Sequence, residues 1–79
     1  MNLEKSAKLL GFDGVKTSNI DDIVFKLLEL GVKEIEVSQA EMNIIVAFYL
    51  ANSGDKDPDK PKILREGKID KYLGLKVKL

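Results

Sequence analysis

Carboxylates at regular spacing are the first candidates for chemistry in this chain. Asp55-Lys56-Asp57-Pro58-Asp59 sets acids at alternate positions, and Glu66 stands at the twelfth place counted from Asp55. That is the ligand spacing of an EF-hand calcium loop, in which carboxylate oxygens converge on a hard cation. Three residues oppose this reading. Lys60 stands where such a loop needs glycine for its sharp turn, Pro58 constrains the backbone between ligands, and Lys62 replaces the usual apolar residue. Nor does a clear helix pattern follow Glu66. A solvated loop of mixed charge competes with calcium binding through Asp55, Asp57, Asp59 and Glu66, which ranks as the third functional reading.

Lysines 68, 71, 76 and 78 make the C-terminal segment basic. Three helices followed by a basic hairpin is the order of a winged-helix regulator, the alternative reading. The third helix would then read DNA, yet it carries Glu41 and no Arg or Lys, whereas base readout needs side-chain donors. Lysines on the wet face of a strand explain the hairpin without nucleic acid. Glu34 and Glu36 share one face of a short strand and have no partner acid. Ser6, Ser18, Ser38 and Ser53 lack an activating base, because the chain has no His. Tyr49 and Tyr72 suit a core or an interface better than acid catalysis. The six glycines are scattered, with no phosphate-cradling cluster. The inventory points away from an enzyme and calls for no cofactor.

Composition narrows the class further. Seventy-nine residues make one domain, 1–79. A chain of this size buries roughly 60% of its unfolded surface, so its margin of stability is thin. No cysteine is present to staple it or to hold zinc. Thirteen basic residues balance thirteen acidic ones, which leaves no electrostatic footprint for nucleic acid or an anionic membrane. The same neutrality tolerates self-association. The longest apolar run, residues 44–51, is far short of the about 20 residues that span a membrane. The N-terminus lacks a signal-peptide core. A cytoplasmic protein, not a secreted one, is the expectation.

The elements that must position these residues follow from periodicity and caps. Asn2 caps a short helix over 3–10 with Leu3, Ala7 and Leu10 on one face, ended by Gly11. Residues 12–15 read as a turn. Ser18 caps a second helix whose Ile20, Ile23, Val24, Leu27 and Leu28 form a half-buried stripe. Asp21 and Asp22 lie where its dipole favours negative charge. Residues 32–37 end in the alternation of a strand, with Ile35 and Val37 inward. Ser38 and Glu41 have capping-box spacing, which starts a helix over 39–51. Its apolar residues cover nearly the whole circumference, so other elements, or a second chain, must wrap around it. Residues 52–62 hold both prolines and read as a mobile polar loop. The C-terminal segment then reads as two strands turned at Leu73-Gly74, with Leu75, Val77 and Leu79 inward. Its apolar last residue, with no polar tail, suits a longer natural chain or an end covered by a neighbour. The sum is α+β: two to three helices around a central buried helix, packed on a small mostly antiparallel sheet with a C-terminal β-hairpin.

One resemblance adds to this. Gly31-Val32-Lys33-Glu34-Ile35-Glu36-Val37-Ser38 runs into a helix and a variable polar loop. The chain then ends Leu64-Arg65-Glu66-Gly67-Lys68-Ile69-Asp70-Lys71-Tyr72-Leu73-Gly74-Leu75-Lys76-Val77. This resembles a segment of tailed-phage major capsid proteins and encapsulin-type shell proteins. There a strand ending in Ser leads to a helix, and a Gly-Xaa-Ile segment precedes a Gly-hydrophobic-Xaa-Val strand. The pattern covers about residues 19–79. Those shell proteins are several times longer, with a spine helix and an extended loop that have no counterpart here. The resemblance implies a structural role in shell assembly, without catalytic residues. It also implies a virion as the alternative location and other copies or other protein chains as partners. Separately from the resemblance, Tyr49, Tyr72 and Leu79 are the expected partner surface. Ile23, Leu27, Ile35, Val37, Ile44, Ile45, Phe48, Leu75 and Val77 are expected to pack.

Overall fold

The computed structural model describes residues 2–54 and 56–79. Four helices and three strands follow in the order α1 (Leu3–Leu9), α2 (Ile20–Glu29), β1 (Glu34–Glu36), α3 (Gln39–Asn52), α4 (Lys60–Glu66), β2 (Lys71–Tyr72) and β3 (Leu75–Lys78). Asn2 caps α1 with its side chain, accepting from the Lys5 amide at 3.2 Å. The capping box at α3 is complete. The Ser38 Oγ accepts from the Glu41 amide at 3.1 Å, and Glu41 Oε1 accepts from the Ser38 amide at 2.8 Å. Those two bonds satisfy amides that a helix start leaves free.

At α2 the expected cap is displaced by one residue. Asn19, not Ser18, precedes the helix, and its side chain makes no capping bond. Its Oδ1 instead accepts from the Lys16 amide at 2.8 Å, and its Nδ2 donates to the Gly14 carbonyl at 2.8 Å. Asn19 thus folds the preceding loop back on itself and delivers Ile20 to the core.

The sheet is mixed, with strand order β1-β3-β2. This corrects the mostly antiparallel expectation. β3 pairs antiparallel with β2, Tyr72 opposite Leu75, and parallel with β1, Ile35 opposite Val77. Alternation in a sequence reveals which face is buried but not the direction of a neighbour. Ile35, Tyr72, Leu75 and Val77 turn inward and join one buried cluster with Leu3 and Ala7 of α1, Ile20, Ile23, Val24 and Leu27 of α2, and Met42, Ile45 and Val46 of α3. On the outer face, Glu34 opposes Lys76 and Glu36 opposes Lys78.

Two further expectations change. The segment 52–62 is not all loop, because Asn52 closes α3 and Lys60 opens α4. Pro61 sits in the first turn of α4, where its missing amide costs nothing, and Gly67 ends it in the left-handed conformation at φ 68°. α3 is not wrapped on every side. Met42, Ile45 and Val46 are buried, Ile44, Phe48, Tyr49 and Leu50 are half-buried, and Ala47 and Ala51 are exposed.

Candidate functional site

Two clefts meet at Tyr49, near the C-terminal end of α3. The first has a volume of about 360 Å³ and is lined by Asp21, Phe48, Tyr49, Asn52, Ser53, Asp57, Tyr72 and Leu73. Four segments supply it: the first turn of α2, the last turns of α3, the loop after α3, and β2 with its turn. The second, of about 340 Å³, runs past Tyr49 between α4 and residues 68–71, with Asp59, Lys62, Glu66, Lys68 and Asp70 along it.

The first cleft holds two tyrosine–aspartate pairs. The Tyr72 hydroxyl donates to Asp21 Oδ1 at 2.6 Å and joins residues 51 apart in sequence. The Tyr49 hydroxyl donates to Asp57 Oδ2. Both phenols gain a carboxylate acceptor that favours their neutral form. The Tyr49 hydroxyl is pushed up to about 12, first by its bond to Asp57, then by loss of water and the charges of Asp57 and Asp59. The Tyr72 hydroxyl is pushed higher by burial first and by Asp21 second. Asp57 is held below its ordinary range by the Tyr49 hydroxyl, with help from the Asp59 amide and the charge of Lys60. The Asp59 amide donates to Asp57 Oδ1 at 3.0 Å, so this carboxylate pins the loop to α3. Among the described residues that line this cleft, none is basic.

Leu73 stands at the lip. It has φ 53°, and Gly74 beside it has φ 95°. Two successive positive φ values are what a two-residue type I′ turn uses, normally with Asn or Gly first. A leucine there carries a steric cost, and its side chain is left 45% exposed.

The residues singled out from sequence are placed as follows. Tyr49 is half-buried between the two clefts. Tyr72 is only 5% exposed, so the core and Asp21 claim it. It is withdrawn from the partner surface proposed for it. Leu79 lies past the end of β3 and is 59% exposed, which corrects the inward position expected from alternation. The calcium candidates divide: Asp57 faces Tyr49, whereas Asp59 and Glu66 line the second cleft, and Asp55 lies outside the described residues. Among the described residues, no three His, Cys, Asp or Glu side chains gather as a metal ion would need.

Sequence reasoning missed Asp21 and Leu73 as cleft residues. Asp21 reads locally as a helix-dipole partner, and nothing near it announces Tyr72. The Leu73-Gly74 turn was legible, but not the strain that a leucine bears in it. Among the described residues, no helix is long and apolar enough to cross a membrane. No family model, curated protein or solved structure matches the chain.

Proposed function

We propose that this chain is a non-enzymatic structural and interaction domain that associates with copies of itself, as a shell-type protein does. The observation that carries this reading is α3. Its sequence is apolar around the circumference, yet Ile44, Phe48, Tyr49 and Leu50 are only half-covered within the chain. A neighbouring copy that covers them would complete the central buried helix that the sequence calls for. Leu9, Phe25, Leu30, Leu64 and Leu79 add exposed apolar surface to a molecule of zero net charge. The two strand pieces of the phage-shell pattern lie side by side, Ile35 opposite Val77. Sedimentation across a concentration range tests the reading. A defined oligomer or growth into larger particles is expected. A monomer at every concentration refutes self-association through these surfaces.

A second reading is favoured by one observation. α4, whose first three residues fall in the segment expected to be loop, carries exposed Lys62 and Arg65 just ahead of the basic C-terminal strands. This puts cations on the helix that directly precedes the basic strands, which would take over the reading role that α3, without Arg or Lys, does not fill. Glu34 and Glu36, set opposite Lys76 and Lys78, weigh against it by neutralising the strand lysines. Titration with duplex DNA at two salt concentrations decides, because affinity built on phosphate contacts falls with salt.

A further inference from the structure

The cleft at the end of α3 combines features that no element explains alone. Phe48, Tyr49 and Tyr72 bring three aromatic side chains to it, Asp21 and Asp57 bring two carboxylates, and no described lining residue is basic. Leu73 lines it in a left-handed conformation that costs a leucine stability and that asparagine or glycine would adopt freely. Strain kept in a bulky, 45% exposed side chain points to use of that side chain, because the turn itself would be better served by another residue.

We propose that this cleft binds a small alkylammonium ligand, a quaternary or methylated amine of a free metabolite. Aromatic faces attract such cations through their quadrupoles, and quaternary ammonium groups are the ligands for which aromatic walls are best suited. The carboxylates serve as counter-charges. Each tyrosine hydroxyl donates to its aspartate, which turns the phenol oxygen toward the carboxylate and leaves the carboxylate further acceptor positions. A volume of about 360 Å³ suits a ligand of that size, within the range of small-molecule sites. Phe48 and Tyr49, half-buried, form the accessible walls. Tyr72, buried, closes the inner end, and Leu73 supplies the methyl groups that cover the ligand from outside. Asn52 and Ser53 leave a polar margin for the remainder of the molecule.

The test is titration of the full chain with tetramethylammonium chloride, followed by NMR of the aromatic ring protons at fixed ionic strength. Potassium chloride and the uncharged neopentyl alcohol serve as controls. Saturable shifts confined to Phe48, Tyr49 and Tyr72 are expected, with a dissociation constant on the order of 1 mM for so few heavy atoms. Tyr49→Leu should weaken binding roughly fivefold, the scale of one exposed cation–π contact. Leu73→Asn carries the sharper test. It should raise the melting temperature by relieving the turn and at the same time weaken tetramethylammonium binding. Three results would overturn the proposal: no saturable shift, equal binding of neopentyl alcohol, or unchanged binding by a stabilised Leu73→Asn chain. A trimethyllysine peptide that binds far more tightly than choline would also overturn it, by making the occupant a protein tail. Phe48 and Tyr49 belong both to this cleft and to the face proposed to meet a second copy, so the titration is made at a chain concentration where sedimentation gives the monomer. Failure there overturns the ligand proposal, whereas the oligomer reading is judged by sedimentation alone.

Discussion

Replacing Tyr72 with Phe removes one oxygen and leaves the ring in place. That oxygen donates to Asp21 Oδ1 at 2.6 Å, and the ring is only 5% exposed. A hydrogen bond to a charged acceptor contributes roughly 1.5–3 kcal/mol. Asp21 is half-buried, so water regains part of its lone-pair shell once the hydroxyl is gone. The expected loss is therefore near the lower end, about 1.5 kcal/mol. For a domain of this length each kcal/mol moves the melting temperature by roughly 4–8 °C, so Tyr72→Phe should melt about 6–12 °C lower. Asp21 also sits in the first turn of α2, where its charge meets the helix dipole for about 0.3–1 kcal/mol. A double-mutant cycle with Asp21→Ala separates the two effects, because only the pair interaction survives as coupling, expected near 1 kcal/mol. Urea unfolding monitored by circular dichroism gives all four stabilities. If Tyr72→Phe lies within 0.5 kcal/mol of the parent, on the order of ordinary surface substitutions, and the coupling is zero, the latch contributes nothing and the reasoning fails.

Two further outcomes follow from the same physical account. The Tyr72 hydroxyl is raised above its unfolded value of about 10, so its contribution is complete below pH 10 and is lost as pH rises through the folded value. Melting temperature should therefore fall above about pH 10 more steeply in the parent than in Tyr72→Phe, and parallel curves would contradict this. Ser38→Ala removes one half of the capping box and should cost about 1 kcal/mol, read by the same urea series, while Ser53→Ala at the other end of α3 should cost less.

Elements whose cause is local were legible in the residues. The stripe from Ile20 to Leu28 gave α2, the Ser38–Glu41 spacing gave the start of α3, and the alternation Leu75-Lys76-Val77-Lys78 gave β3 its inner and outer faces. α4 was hidden by its composition. Pro61 and Gly67 read as loop punctuation, yet they stand at the first turn and the C-terminal cap, where a helix welcomes them. The parallel pairing of β1 with β3 had no local signature, because both directions of pairing use the same alternation. The cleft was less legible still. Tyr49 and Tyr72 stood out as residues, but their aspartates arrive from a loop and from the start of a distant helix. Leu79 was misplaced because alternation was carried one residue past the end of the last strand.

The strand order has a consequence for how the chain acquires its structure. β3 is the last strand in sequence and the middle strand in the sheet. Until it is in place, β1 and β2 are not joined, since β3 lies between them and β1 otherwise has only the isolated bridge from Glu36 to Asn2. The buried faces of Ile35, Leu75 and Val77 come together only when β3 is recruited. Closure over so long a loop places the barrier late and makes folding slower than four short helices would suggest. β3 therefore acts as the keystone of assembly within the sheet, and cooperativity between its two neighbours depends on it.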